Sequence, residues 1–131
     1  MTDEERTLVG YRLERAEEAI QEAGMLLDGG HVNTCVNRLY YACFYAVSAA
    51  LLCKGLSTSR HSHLRSLLHR DFVKTGLVDK NMGNHFDTLF DSRQEGDYAD
   101  LAEFDIEDVR AWFEPTRQFV NHFKNLVASQ S

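Results

Sequence analysis

The residues from Arg93 to Tyr98 place several chemically active side chains in one short segment. Its sequence, Arg-Gln-Glu-Gly-Asp-Tyr, brings a guanidinium close to the carboxylate of Asp97 and the phenol of Tyr98. An arginine can bind a phosphate group through paired hydrogen bonds. An aspartate ordinarily has a pKa near ~4, so it serves poorly in proton transfer at neutral pH unless its surroundings raise that pKa by several units. Arg93, Asp97 and Tyr98 are the catalytic candidates, and we favour a structural or ligand-positioning role because residues four apart pair on a helix.

A second group of polar side chains lies in an otherwise apolar stretch. Arg38 is the only charged residue between Val32 and Cys53, and Asn37 precedes it. A lone guanidinium among apolar neighbours requires a carboxylate or another acceptor nearby. The hydroxyl group of a buried tyrosine such as Tyr40 also needs a partner. The sequence offers Arg38 or Asp97 for that role.

Two pairs of residues raise the question of a metal site or a catalytic site. His61 and His63 are two residues apart, so their rings point to different sides of a helix, and the sequence offers no third ligand nearby. We therefore predict no metal site and expect His61 to make a capping or interhelical hydrogen bond. Arg117 and His122 lie about 140° apart around a helix, which argues against a joint function.

Charge is distributed unevenly along the chain, whose formal net charge is −6. Residues 54–80 carry six basic and two acidic side chains, whereas residues 85–114 carry two basic and ten acidic ones. A uniformly acidic protein would repel nucleic acid. The basic residues at 54–80 are compatible with a local binding site for an anionic ligand. Such runs of charge are, however, more often solvated helix faces.

The composition predicts one domain, residues 1–131, in a reducing compartment. The chain is 44% hydrophobic, which is enough for a core. Cys35, Cys43 and Cys53 fall on one predicted helix, about 12 and 15 Å apart, and cannot bridge one another. Unpaired thiols are typical of reducing compartments, and neither a secretory signal nor an apolar run of about 20 residues is present. We therefore expect a cytoplasmic protein without a membrane span or a cofactor.

Hydrophobic spacing predicts an all-α, five-helix, up-and-down antiparallel bundle. Apolar residues recur every three or four positions, and glycines follow the predicted helix ends. We expect an acidic loop at residues 96–104 and a kink in the last helix at Pro115, which lacks the amide proton that a helix requires. The predicted helices span residues 3–28, 32–54, 60–75, 79–95 and 106–127.

Several separated motifs follow one another in a fixed order. They are Asn-Arg-Leu-Tyr-Tyr-Ala-Cys-Phe-Tyr-Ala at 37–46, a histidine at 61, Phe-Val-Lys-Thr-Gly at 72–76 and Arg-Gln-Glu-Gly-Asp-Tyr at 93–98. Together they resemble the HEPN domain family, named for nucleotide binding in higher eukaryotes and prokaryotes, and in particular its short stand-alone prokaryotic members. The resemblance runs from about Tyr11 to Phe123.

The resemblance implies a helical bundle that commonly forms a homodimer. It also implies a partner protein, a minimal nucleotidyltransferase, with which the chain would form a toxin–antitoxin-like module. We expect the Arg38/Tyr41 and Arg93/Tyr98 regions at or near the two-fold interface. The positions carried over as binding or interface residues are Asn37, Arg38, Tyr41, His61, Lys74, Arg93, Asp97 and Tyr98.

The segment after Arg93 departs from the signature of the catalytic members. Many HEPN proteins are metal-independent ribonucleases, and their signature is an arginine followed after four to six residues by a histidine. Here Asp97 and Tyr98 occupy that window, and a histidine does not. Metal-independent RNA cleavage needs a group that moves protons near neutral pH. We therefore expect a partner-binding module with poor cleavage of RNA. The alternatives are a ribonuclease that uses Arg93, and a nucleotide- or RNA-binding protein that uses Arg38, Arg93 and the basic third helix.

Overall fold

A computed structural model describes residues 1–98 and 103–130, with the side chains of 94–98 left outside the description. The described part is helical and contains no strand, which confirms the all-α prediction. The last helix is divided in two at Trp112, and a π-helical segment follows α3. The elements are α1 (Asp3–Asp28), α2 (Val32–Cys53), α3 (His61–Leu68), the π-helical segment (His69–Val73), α4 (Lys80–Tyr98), α5 (Ile106–Ala111) and α6 (Phe113–Ser129).

α1 and α2 form a helical hairpin that is the scaffold of the bundle. Thr2 and Glu5 cap the start of α1 with two reciprocal hydrogen bonds of 3.0 Å each. The chain reverses at Gly30, whose φ of 81° is readily adopted only by glycine. Three of the six buried residues of α1 are alanines, Ala16, Ala19 and Ala23, and their small side chains let the two helices pack closely.

α2 is the central helix, and it contacts α1, α3, α4, α5 and α6. By length and composition it is apolar enough to cross a membrane, which the sequence reasoning had not expected of any segment. However, 67% of its most apolar window is buried inside the bundle. Its apolar character is therefore explained by its place in the core. Two of its three free cysteines, Cys35 and Cys43, are fully buried.

The third predicted helix changes its winding part-way along. It is α-helical to Leu68 and then continues as the π-helical segment, where the amide of Lys74 bonds to the carbonyl of His69 over 2.8 Å. Phe72 in this segment is fully buried, and the His69 ring bonds to Asp87 of α4 over 2.9 Å. Both features depend on neighbouring helices. The spacing of apolar residues within the segment therefore does not predict that its winding becomes π-helical.

The last helix breaks where the sequence predicts a kink. Asp105 caps α5 by accepting hydrogen bonds from two amide groups of the first turn. The helix tightens at Trp112, whose amide donates to Val109 three residues back over 3.0 Å. Pro115 cannot donate to the carbonyl of Ala111, and α6 begins between the two, at Phe113. The interruption therefore falls within the stretch from Ala111 to Pro115 for which the kink is predicted.

α4 is longer than the sequence predicts. The expected end was Glu95, with an acidic loop from residue 96, but the helical backbone continues to Tyr98. The backbone of Asp97 and Tyr98 therefore belongs to the helix that carries Arg93. The side chains of these two residues lie outside the described part of the structure, so their predicted pairings stay predictions.

A buried polar contact joins α4 to α6. Thr116 is fully buried and donates its hydroxyl proton to the carbonyl of Trp112 over 2.8 Å. Its oxygen therefore accepts the proton on Nε2 of His85, 2.9 Å away. Burial lowers the pKa of His85 to about 4, so the imidazole is neutral in the folded protein at neutral pH.

We expect His85 to make the protein less stable in mild acid. In the unfolded chain the imidazole titrates near its ordinary pKa of about 6.5, so the unfolded state binds more protons between pH 6.5 and 4. The free energy of unfolding should be fully retained above pH 6.5. It should fall as the pH drops from there towards 4, by at most about 1.4 kcal/mol per pH unit from this group.

Urea denaturation at several pH values measures this effect. His85→Gln keeps a donor for Thr116 and removes the titrating ring, so its stability should depend less on pH across that interval. Equal pH dependence in the variant and the parent would contradict the assignment.

Candidate functional site

Arg93 lies over the face of a buried tyrosine. Its guanidinium carbon is 4.8 Å from the ring centroid of Tyr40, close enough for a cation–π interaction. The Tyr40 side chain is fully buried, and its hydroxyl lies 2.7 Å from Nδ1 of His61. Arg93 of α4 and His61 of α3 therefore contact the same side chain of α2. The sequence reasoning expected Arg38 or Asp97 to pair with this hydroxyl; among the described residues, the observed partner is His61.

His61 is fixed by aromatic neighbours as well as by its hydrogen bond. It is the first residue of α3, and its ring centroid is 4.7 Å from that of Phe44 and 5.7 Å from that of Tyr41. The predicted interhelical hydrogen bond of His61 is confirmed. His63 has a separate partner, the Thr58 hydroxyl at 3.1 Å, so the two histidines do not act together.

The guanidinium of Arg38 has the hydrogen-bond acceptor and the carboxylate that its apolar surroundings require. Its guanidinium donates to Oδ1 of Asn37 at 3.2 and 2.9 Å and lies 3.7 Å from a carboxylate oxygen of Glu22 on α1. Its guanidinium carbon is also 4.9 Å from the ring centroid of Tyr41. The need for a carboxylate was predictable, but its source was not, since Glu22 comes close only through the packing of α1 on α2.

Arg65 is a third arginine that lies over an aromatic ring, and like Arg38 it also has a carboxylate nearby. The guanidinium carbon of Arg65 lies 4.2 Å from the ring centroid of Phe90, and its nitrogen lies 3.6 Å from a carboxylate oxygen of Asp91. Phe90 packs edge-on against Tyr40, with ring centroids 5.9 Å apart. We call this group the cation–aromatic cluster; it consists of Arg38, Tyr40, Tyr41, Phe44, His61, Arg65, Phe90 and Arg93.

An open groove of about 390 Å³ adjoins the cluster between α1, α2 and the start of α3. His61, Tyr41 and Phe44 belong to both the cluster and the groove wall. Arg12 adds a cation and donates to the carbonyl of Ser48 over 3.3 Å. The remaining lining residues are Leu8, Tyr11, Tyr45, Ser48, Ser57, Thr58 and Ser59.

Burial keeps the phenol of Tyr40 protonated. Removal from water raises the pKa of this hydroxyl well above its ordinary value, and the nearby Arg93 charge only partly opposes that effect. Tyr40 is therefore a neutral hydrogen-bonding group at physiological pH. An imidazole is the side chain that ordinarily exchanges protons near neutral pH, so His61 is the candidate for proton transfer in this cluster.

The side chains of the cluster have the chemistry that would suit an anion beside a flat ring. Arg38, Arg65 and Arg93 supply guanidinium groups that suit phosphate oxygens. Partly exposed rings such as Tyr41 can stack with nucleobases. No group of three or more histidine, cysteine, aspartate or glutamate side chains that could hold a metal ion occurs among the described residues.

The structure separates some of the predicted site residues from this cluster. Lys74 lines a different groove, beside the π-helical segment. His122 bonds to the carbonyl of Leu77 over 2.8 Å, and Arg117 lies 3.6 Å from Glu114 on its own helix. These contacts give Arg117 and His122 separate structural roles, as expected from their spacing.

Sequence reasoning missed four members of the cluster as site residues: Tyr40, Phe44, Arg65 and Phe90. Phe44 stands in the first motif, without a role assigned to it. Tyr40 was recognised only as a hydroxyl in need of a partner, and Arg65 and Phe90 were assigned to a basic stretch and to an apolar stripe. The only sequence signal for Tyr40 was its place in the first motif, two residues after Arg38. Arg65 and Phe90 meet through the packing of α3 on α4, which periodicity does not encode.

We expect the hydroxyl of Tyr40 to contribute measurably to stability. Tyr40→Phe keeps the ring in the core but removes the hydrogen bond to His61, which should lower the free energy of unfolding by about 0.5–1.5 kcal/mol. Urea denaturation gives this value. Tyr11→Phe is the matched control, because the Tyr11 side chain is 58% exposed, and its change should stay within about 0.5 kcal/mol. Equal effects of the two changes would contradict the inferred role of the Tyr40–His61 bond.

Comparisons with known proteins agree with this architecture. The chain is 40% identical over 125 residues to a UPF0332 protein of Thermotoga maritima, covering 95% of each chain. It is 28% identical over 116 residues to a UPF0332 protein of Archaeoglobus fulgidus, covering 88% of this chain and 92% of that relative. It is also 26% identical over 119 residues to a Methanocaldococcus jannaschii protein named "putative toxin", covering 91% of this chain and 81% of that relative. The family model described as HEPN domain matches residues 9–126, and the chain belongs to the HEPN domain family.

Proposed function

We propose that this HEPN protein is one half of a two-component, toxin–antitoxin-like module whose other half is a minimal nucleotidyltransferase. Support comes from its family and from the relative whose name describes a toxin. Cys35, Cys43 and Cys53 are free thiols, which suits a module in the reducing cytoplasm.

In this proposal the cation–aromatic cluster is a binding surface for RNA or nucleotide phosphates. The observation that carries it is the position of Arg93, Arg38 and Arg65, each over an aromatic ring, on neighbouring helices. Such pairs present cations beside stacking surfaces, which is the chemistry that binds single-stranded nucleic acid. The acidic surroundings of Arg93 oppose phosphate, so we expect weak binding.

We propose that the protein works as a homodimer with the Arg38/Tyr41 and Arg93/Tyr98 regions near the two-fold axis. Tyr41, Phe44 and Tyr45 of α2 stay partly exposed in one chain, and Leu8 and Tyr11 of α1 are exposed. Aromatic side chains of this kind are enriched in interfaces. A second chain would also add basic groups near Arg93 and reduce the repulsion of phosphate.

Little cleavage is expected in this proposal because a proton-transferring histidine is absent from the window after Arg93. Loss of a well-placed general acid–base group ordinarily lowers a rate by about 10²- to 10⁴-fold. Phosphate binding by Arg93 does not require that group. The protein should therefore retain RNA without turning it over efficiently.

A second candidate function has one specific observation in its favour. Arg93 and His61 both contact Tyr40, which brings a phosphate-binding cation and an imidazole to the same side chain. A metal-independent ribonuclease requires those two groups. In that case His61 would supply the proton transfer that Asp97 performs poorly.

An RNA assay in the presence of a metal chelator separates the two functions. For the binding module we expect little or no turnover, and we expect Arg93→Ala to weaken RNA binding about 10- to 100-fold through the loss of charged hydrogen bonds. Arg117→Ala, which removes the same charge from α6, should leave binding unchanged. Metal-free cleavage that is abolished by Arg93→Ala and by His61→Gln, but not by His122→Gln, would establish the ribonuclease instead.

Co-expression tests the assembly. A neighbouring reading frame with a G-S-x(10)-D-x-D nucleotidyltransferase motif should yield a protein that co-purifies with this chain. Light scattering of the chain alone at micromolar concentration should give twice the 15.0 kDa of one chain. A 15.0 kDa particle would reject the dimer, and failure to co-purify would reject the partner.

A further inference from the structure

A second groove, of about 530 Å³, lies between the π-helical segment and the start of α4. Five of its six lining residues carry a basic or polar group at the end of the side chain; the lining consists of His69, Arg70, Val73, Lys74, Lys80 and Asn84. None of these residues belongs to the cation–aromatic cluster. Its volume falls within the range of small-ligand sites, about 300–1,000 Å³.

Two of its cations are available for a ligand. Lys74 and Lys80 are both exposed, and within the described part of the chain no carboxylate oxygen lies within 4.0 Å of either ammonium group. An exposed ammonium group without a carboxylate partner has no ion pair to break before it binds an anion. Lys74 and Lys80 would therefore supply most of the electrostatic attraction for a negatively charged ligand.

The acidic groups around the groove already have hydrogen-bond donors. Asp71 accepts two hydrogen bonds from Arg70, at 2.8 and 3.0 Å. Asp87 bonds to the ring of His69 at 2.9 Å, and Asp79 accepts from the amide of Asn81 at 2.9 Å. These bonds hold the carboxylates in place, which reduces their competition with a ligand for the lysines.

The spacing of the lining residues suits a ligand with more than one anionic group. Arg70 and Lys74 lie four residues apart on one wall, and Lys80 and Asn84 lie four residues apart on the other. Along α4, which is α-helical, four residues correspond to about 6 Å, whereas the other wall has the wider π-helical turn. Each wall therefore offers two polar contacts in a row, as linked phosphate groups would require.

The two walls are held at a fixed separation. A Cβ atom on Gly83 would lie 2.9 Å from Cγ2 of Val73 and 3.1 Å from the ring of His69, so α4 approaches the π-helical segment as closely as glycine allows. The hydrogen bond between His69 and Asp87 is a second contact between the π-helical segment and α4. A groove formed before the ligand arrives costs less ordering on binding, and π-helical turns are frequent at functional sites.

We propose that this groove binds linked phosphate groups, with Lys74 and Lys80 as the principal ligands and Arg70 and Asn84 as supporting donors. The phosphates can belong to a nucleoside triphosphate or to the backbone of an RNA strand. The proposal does not depend on the function of the cation–aromatic cluster.

Titration calorimetry of the full-length protein tests the site with inorganic triphosphate, ATP and a single-stranded RNA as separate probes. We expect saturable binding of at least one of these. The double change Lys74→Gln and Lys80→Gln should weaken it at least tenfold and, for the single-stranded RNA, lower the dependence of log Kd on log salt concentration by about 0.7 per lysine. Lys124→Gln, which removes the same charge near Glu17, should change neither quantity.

The probes identify the source of the phosphates. Equal binding of inorganic triphosphate and ATP indicates a site for the phosphate chain alone, tighter binding of ATP indicates a nucleotide, and binding of RNA only indicates its backbone. Absence of saturable binding by all three probes would overturn the proposal. For whichever probe binds, an affinity that is unchanged in the double lysine variant would overturn it as well.

Discussion

The burial of Tyr40 connects the hydrophobic core to the candidate functional site. Its ring packs against Phe86 and Phe90 of α4, with centroids 5.6 and 5.9 Å away, while its hydroxyl bonds to His61 of α3. Arg93 lies over the same ring. Three helices therefore meet at one side chain, and the positions of His61 and Arg93 are set by close packing of the core rather than by a loop.

The charges on the outer face of the α1–α2 hairpin follow from the apolar character of α2. Arg38 interrupts an otherwise uncharged helix, and Glu22 of α1 supplies the compensating carboxylate, which Arg15 also approaches at 3.9 Å. Partly exposed pairs of this kind contribute little to stability. Their consequence is geometric, because they hold the guanidinium of Arg38 against Tyr41 at the edge of the proposed binding surface.

For the proposed binding of phosphate groups, local charge matters more than the net charge of the chain. The chain is acidic overall, yet Arg38, Arg65 and Arg93 converge on aromatic rings, and Lys74 and Lys80 line a separate groove. Both surfaces depend on side chains that are distant in sequence. A net charge describes long-range attraction and repulsion, whereas binding of a phosphate group depends on the few donors within hydrogen-bond distance.

The sequence by itself determined the helical class, the five helical regions, the break near Pro115 and the HEPN family, because periodicity, glycine stops and motif order are local properties. It also identified His61 as a residue that would bond between helices. Only the tertiary structure decided that Tyr40 is its partner, that Glu22 compensates Arg38, and that Lys74 lies apart from Arg93. These outcomes depend on how the helices pack against one another, which local sequence patterns do not encode. The π-helical winding after Leu68 occurs where that segment packs on α4, and it too is absent from the local pattern.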